Sequence, residues 1–254
     1  MLGIIRARLH QVFAPGMHSC LILVPCSLGG SVATKEVISY MVTKPEIRNR
    51  YPRKIEVDES QGTPGPSFFR ARPSGTPQVR PVSIRLMGPP DKDSILLLAR
   101  HLPPEQLLFL HSDITQPAIV DEWLKSIENG ATLTLLAEPD GTLEGYASLH
   151  LSPVRWTRKV GEVAINVAPE WQSRGLGEAL CAEILSLGVI LELKQITAQM
   201  VAEHKSARAM FERLGFRIQA FLPDWVEDQE GRSRDLLLMA YDLRAPERHA
   251  PTSG

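Results

Sequence analysis

The sequence predicts a mixed α/β domain, a sheet flanked by helices, preceded by an N-terminal extension with little regular structure. Three observations carry this. Runs that alternate apolar and polar residues, such as "VSIRLM" and "VGEVAINV", read as strands. Apolar stripes at spacings of three and four, such as Leu176, Leu180, Ile184 and Leu187, read as helices. Residues 1–80 sustain neither pattern and hold eight of the chain's 20 prolines.

In the extension, "ATKEVISYMV" reads as a short helix or strand, and Ser60 to Pro81, rich in Pro, Gly, Ser and Arg, as a linker. The domain is expected over residues 81–244 and opens with the "VSIRLM" strand. "DKDSILLLARHL" starts with acidic residues and carries a helical apolar face. "QPAIVDEWLKSIENG" places Ile119, Val120, Trp123 and Ile127 at helical spacing and stops at Gly130. The turn signal Pro139-Asp140-Gly141 joins two strands into a hairpin. On the strand from Val160 to Val167, Val163, Ile165 and Val167 share one face, and Glu162, Ala164 and Asn166 the other. A helix follows the glycines at 175 and 177, and "ITAQMV" is the next strand. Ala207, Met210, Phe211 and Leu214 mark a second helix, ended by Gly215. "FRIQAFL" and "RDLLLMAYDL" are the last strands, joined by the polar "PDWVEDQEGRS", and residues 245–254 form a tail.

Of the 254 residues, 43% are hydrophobic and 22% charged, as expected of a globular core. Residues 1–80 carry 11 Lys and Arg against 5 Asp and Glu, and the remainder 17 against 24. The body is therefore acidic, which argues against a nucleic-acid partner. No run approaches the roughly 18–20 apolar residues of a membrane span. Arg6, Arg8 and His10 ahead of "SCLILVPCSLGG" loosely imitate a signal peptide, but Pro25 breaks the apolar part and no clean cleavage site follows. Cys20, Cys26 and Cys181 include no C-x-x-C pair, so a reducing cytoplasmic setting and no metal site are expected.

The stretch "INVAPEWQSRGLGEAL" places Gly175 and Gly177 at the start of a helix, where glycine weakens helix formation. One reading is a tight strand-to-helix turn. The other is an anion site, in which unpaired N–H groups and the helix dipole face a phosphate and the absent Cβ lets it approach. The spacing is not that of a dinucleotide fingerprint, which needs a third glycine where Leu180 stands, nor of a P-loop.

The wider pattern resembles the pyrophosphate loop of the GNAT superfamily of N-acetyltransferases. Gln172, Gly175 and Gly177 match its spacing, the strand ends in Val167-x-Pro169, and "HKSARAMFERLGF" is similar to the family's second hallmark, a short helix ending in Leu-Gly-Phe. The resemblance covers roughly Val82 to Leu243. It implies the GNAT fold, with a central mixed, mostly antiparallel sheet, and acetyl-CoA as cosubstrate. It implies an opening where the strand at Val160–Val167 splays from the one at Ile196–Val201. Backbone groups around Ile165, Asn166 and Val167 would hold the pantetheine and thioester. Beside Gln172, the N–H groups of Ser173, Arg174, Gly175, Leu176, Gly177 and Glu178 would hold the pyrophosphate. The Arg174 side chain reads as a charge near the CoA phosphates or as a solvated group.

Transfer to an amine needs a base for the ammonium, and an acid can serve the leaving thiolate. Where many family members carry a Tyr acid, this chain has Phe211. Where some carry a Glu base, it has Gln199. Glu162 is the leading base candidate, unless a neighbouring cation such as Arg158 or Lys159 pairs with it. His204 is the second candidate, or a helix-start residue touching CoA or solvent. Tyr146 and Tyr241 read as thiol-facing acids or as core. Trp156 and Trp225 read as acceptor lining or as partly buried aromatics. The expected activity is acetyl transfer to a primary amine of a small molecule or protein. The alternative is a CoA-binding sensor that has lost its catalytic groups. Asp224, Glu227, Asp228, Glu230 and Asp235 in the last hairpin read either as a solvated turn or as a rim for a cationic acceptor.

Overall fold

The computed structural model describes residues 44–58, 79–107, 110, 112–228 and 230–244. The strands are β1 (Arg53–Asp58), β2 (Val79–Leu86), β3 (Thr132–Pro139), β4 (Gly145–Leu151), β5 (Val160–Val167), β6 (Gln195–Val201), β7 (Arg217–Glu227) and β8 (Ser233–Asp242). The helices are α1 (Pro45–Arg48), α2 (Lys92–His101), α3 (Pro104–Leu107), α4 (Pro117–Glu128), α5 (Leu176–Ile190) and α6 (Lys205–Arg213). All eight strands form one sheet, in the order β1-β2-β3-β4-β5-β6-β8-β7. Every neighbouring pair is antiparallel except β5 and β6. That exception follows from the connection, because parallel neighbours need a crossover and α5 supplies it.

The sheet is covered on both faces. Leu176, Leu180, Ile184 and Leu187 of α5 are fully buried against a face built from Leu135, Ala147, Leu149, Val163 and Ile196. Each such side chain contributes about 1.5–3 kcal/mol on leaving water. On the other face Ile95 and Leu98 of α2 and Val120 and Leu124 of α4 pack around Leu136 and Tyr146. The expected hairpin turn is present, with Asp140 at φ 54° and Gly141 at φ 80°, the left-handed region that asparagine, aspartate and glycine tolerate.

Two expectations are corrected. Residues 44–58 lie inside the segment read as a little-structured extension, yet they are part of the fold. β1 pairs with β2 along its length, and Ile47, Tyr51 and Val57 are buried in the main core. The physical reason sits on α5. Glu183 is a buried carboxylate in an apolar helix, and an unpaired buried charge is costly. Tyr51 Oη donates to it at 2.8 Å, and Arg50 and Arg53 approach it at 3.2 and 3.3 Å. "RNRYPRK" looks like a solvated basic run until its buried partner, 130 residues away in sequence, is known. The "ATKEVISYMV" segment, most of the linker, Cys20, Cys26 and the tail lie outside the described residues.

The second correction concerns the last hairpin. β7 runs on to Glu227, so "PDWVE" is strand rather than connection. Two register shifts against β8 and a positive φ at Asp224 accommodate Pro223 there.

Candidate active site

β5 and β6 pair only from Val160↔Gln195 to Val163↔Ala198. Beyond that point both strands continue, β5 to Val167 and β6 to Val201, without pairing. The sheet therefore splits, and a cavity of about 660 Å³ occupies the split. The Ala168 N–H donates to Glu144 O. Alternation along an antiparallel edge then turns the backbone groups of Ile165 and Val167 away from β4, toward the split.

The mouth of the cavity is the start of α5. Gly175 is its N-cap with φ 82°, and no side chain caps the helix. Ser173 is also left-handed, at φ 58°. This curls the loop so that it leads first-turn N–H groups to the cavity, which Ser173, Gly175, Gly177 and Glu178 line. The two glycines have different reasons. Gly175 is needed for its backbone conformation. Gly177 is needed for space, since a Cβ there would lie 3.1 Å from Met210 Sδ on α6. Glu178 is paired with Arg213 of α6, which offsets its charge beside an anion site. Arg174 lies over the Trp171 ring, 5.8 Å from its centroid.

Side-chain amides tie this loop to the opposite wall. Gln172 Nε2 donates to Val167 O at 3.1 Å and to Gln106 Oε1 at 2.9 Å. Gln106 Nε2, from α3, donates to Val167 O at 3.0 Å and to Asn166 Oδ1. The Val167 carbonyl is thus already engaged, while Asn166 Nδ2 is buried beside the Tyr146 hydroxyl without a hydrogen bond of good geometry. A buried amide donor so poorly met costs about 1–3 kcal/mol. Asn166 lines the cavity, where a ligand oxygen would satisfy it. A curled, uncapped helix start and a poorly met donor along the same cleft suit a long ligand with an anionic end and amide or carbonyl oxygens, the chemistry of a CoA thioester.

The floor on the α4 side is polar. Tyr146, Ser148 and His150 of β4 line it, with Glu122, Trp123 and Ser126 of α4 above. Burial pushes the Tyr146 phenol up to about 12, and its ring lies 5.0 Å from that of Trp123.

The expected proton-handling residues are not side by side. Glu162 is half-buried on the floor face, accepting from Gln199 Nε2 at 3.2 Å. Lys159, one of the two cations expected beside it, pairs with Glu192. Glu162 itself is not among the residues that line the cavity, whereas Gln199 is. His204 is the N-cap of α6 and lines the other wall. Burial pushes its imidazole below the ordinary value, with the Glu203 carboxylate opposing. Phe211 is buried edge-on to Phe216, with centroids 4.8 Å apart. Tyr241 packs in the core beside Phe216. Trp156 and Trp225 are exposed and away from the cavity lining.

Sequence reading missed Gln106, Glu122, Trp123, Ser126 and His150 as site residues. One signal pointed to His150: Tyr146, Ser148 and His150 alternate on one face of "YASLHL", the same period that put Glu162 on a face. The hairpin acids are mostly spent elsewhere. Asp228 has a fully buried carboxylate that accepts from the Glu230 and Arg232 N–H groups and from the Arg232 and Arg234 guanidiniums. The Arg232 backbone N–H above all, then those guanidiniums, hold it well below the usual carboxylate range. Asp235 caps the Asp224 N–H and Glu230 pairs with Arg232.

A sheet split between its parallel strands, with a glycine-led helix start at the mouth, defines an α/β protein built to hold an anionic, extended ligand. Residues 98–216 match the family model described as the acetyltransferase (GNAT) family. Solved structures agree on the fold. Ribosomal-protein-alanine N-acetyltransferase from Brucella melitensis is 23% identical with a TM-score of 0.57, over 63% of this chain and 98% of that one. A GNAT superfamily phosphinothricin acetyltransferase from Sinorhizobium meliloti, in complex with acetyl-CoA, is 23% identical with a TM-score of 0.56, over 68% and 94%. A spermidine N-acetyltransferase chimera involving Vibrio cholerae is 22% identical with a TM-score of 0.55, over 64% and 96%. No curated protein matches the sequence.

Proposed function

We propose that this protein is an acetyl-CoA-dependent N-acetyltransferase that acts on a primary amine of a small molecule or protein. The observation that carries the reading is the split between β5 and β6 with the Gly175-led start of α5 at its mouth. Bound acetyl-CoA supplies the acetyl thioester. The loop N–H groups from Ser173 to Glu178 hold its anionic end, and the backbone of Ile165 to Val167 holds its extended arm. Neighbours of the same fold bind acetyl-CoA or carry N-acetyltransferase names, which supports both donor and acceptor. The amine enters on the α4 side, between Trp123 and the β4 floor, where Glu122 favours a cationic acceptor. For the ammonium proton, the two residues expected from sequence differ in position: Glu162 lies outside the cavity lining, and His204 is part of it. The described part of the fold reaches back to Lys44. A cytoplasmic location fits the buried free thiol of Cys181. Among the described residues no helix is long and apolar enough to cross a membrane.

A second reading is favoured by Phe211, which packs where a phenol would serve the thiolate: a CoA-binding sensor without turnover. Isothermal calorimetry with acetyl-CoA, followed by thiol release across an amine panel, separates the two. Binding with release supports the enzyme; binding without release from any amine supports the sensor; no binding overturns both.

A further inference from the structure

We propose that His150 is the general base of this site, with the Thr132 hydroxyl on its Nδ1, Ser126 behind that hydroxyl, and Glu162 directly opposite. The inference rests on the N-acetyltransferase reading and deepens it.

The residues form a row across the floor of the cavity. Thr132 on β3 lies directly opposite His150 on β4, and His150 directly opposite Glu162 on β5. Directly opposed residues hold their Cβ atoms roughly 5 Å apart on one face of the sheet. Thr132 Oγ1 lies 3.1 Å from His150 Nδ1, and Ser126 Oγ, from α4, lies 2.8 Å from Thr132 Oγ1. Of the two titratable members of the row, only His150 lines the cavity. The carboxylate is one strand further from it.

In the tautomer whose Nδ1–H donates to Thr132 Oγ1, Nε2 carries the lone pair. Nε2 takes one proton from the substrate ammonium. The neutral amine nitrogen then bonds to the acetyl carbon, the carbon–sulfur bond breaks, and the second nitrogen proton leaves with the thiolate as thiol. His150 returns its proton to water. Among the charged groups on the elements around it, Glu162 of β5 lies directly opposite His150 and Glu122 of α4 lines the same cavity, while Asp121, Lys125 and Glu128 of α4 and Glu138 of β3 are not in that lining; β3 contributes hydroxyls, and β6 contributes Gln199.

The test uses the full chain, beginning with wild-type acetyl-CoA binding and amine acetylation. If those are absent, the N-acetyltransferase reading fails and this inference with it. If they are present, His150→Gln decides the matter alone. It should lower kcat by roughly 10²–10⁴-fold, leave acetyl-CoA affinity unchanged by calorimetry, and abolish the imidazole ionisation in the pH–rate profile. Thr132→Val should lower kcat by a smaller factor and move that ionisation, and Thr132→Ser should restore both. A His150→Gln protein with kcat within about twofold of wild type and an unchanged pH profile would overturn the assignment.

Discussion

Tyr51 Oη donates a 2.8 Å hydrogen bond to Glu183, joining the segment before β1 to the middle of α5, the helix that follows the glycine loop. Burial first, and then Glu183, push the Tyr51 phenol far above its ordinary value, so it is a donor at every working pH. The carboxylate is buried and also faces Arg50 and Arg53.

The first prediction follows from that pair. A chain starting at Lys44 should unfold in urea with a midpoint near that of the full chain. A chain starting at Val79 should lose several kcal/mol or aggregate, because Glu183 loses its partners and the core loses Ile47, Tyr51 and Val57. Tyr51→Phe alone should cost about 1–3 kcal/mol. Equal midpoints for the two truncated chains would show that β1 is a passive attachment.

The second prediction concerns the loop. Gly175→Glu places a side chain and a negative charge at the helix start, and φ 82° adds backbone strain. Acetyl-CoA affinity should fall by at least tenfold in a folded protein, read by calorimetry with circular dichroism as the control. Gly177→Leu should instead act through Met210 and lower stability as well as affinity. Unchanged affinity in Gly175→Glu means the anion site lies elsewhere.

The third prediction uses the poorly met amide donor of Asn166. Asn166→Leu removes that donor and also the Oδ1 that accepts from Gln106, which keeps its bond to Val167 O. The two losses oppose each other, so stability without ligand should change by no more than about 1 kcal/mol, while affinity for acetyl-CoA or acceptor falls. A variant both less stable and equally tight would place the missing acceptor within the protein rather than the ligand.

The fourth prediction is acid sensitivity. For Asp91, burial raises the pKa, but the Arg85 guanidinium and the Gly88 N–H outweigh it and bring it below the usual carboxylate value. Asp228 is lowered too. A carboxylate depressed on folding stabilises above its unfolded pKa of about 3.9 and loses that contribution as pH falls through the folded value. His204 is also depressed by burial, so it favours folding above about 6.5 and withdraws that support below it. Urea midpoints should therefore fall in two steps on acidification. Asp91→Asn should be less stable than wild type at pH 7, and the difference should narrow as pH falls below the usual carboxylate range. A constant difference across pH would show that the Asp91 carboxylate contributes through shape alone.

These tests also mark what the sequence makes legible. The strand alternation around Glu162, the stripe on α5 and the glycine spacing were local, and each appears where expected. The split itself was legible only through the family resemblance. Residues 44–58 were not legible, because their apolar members are few and their charges answer Glu183, far along the chain. His150 and Gln106 escaped for the same reason. A histidine on a strand and a glutamine on a four-residue helix gain meaning only when Thr132 and Asn166 face them across the fold. Asp228 erred in the opposite direction, since an acid in a polar turn looks solvated until Arg232 and Arg234 fold over it.

The last prediction concerns which acids greet the acceptor. The hairpin acids were read as a rim or a solvated turn, and the structure places Asp228, Asp235 and Glu230 in internal bonds, away from the cavity lining. Glu122 is exposed, lines the cavity, and sits one turn before Ser126 on α4. An ammonium approaching the floor passes it. Glu122→Gln should raise KM for a cationic amine several-fold, lower its kcat/KM, and leave acetyl-CoA affinity unchanged. The effect should shrink as added salt shortens the Debye length from about 10 Å at 0.1 M. Amide substitutions at Asp224 and Glu227 should leave KM within about twofold, and Asp228→Asn should loosen the hairpin and cost stability rather than binding. If the hairpin substitutions raise KM and Glu122→Gln does not, the acceptor enters over β7 and β8 instead, and the α4 side of the cavity is not its path.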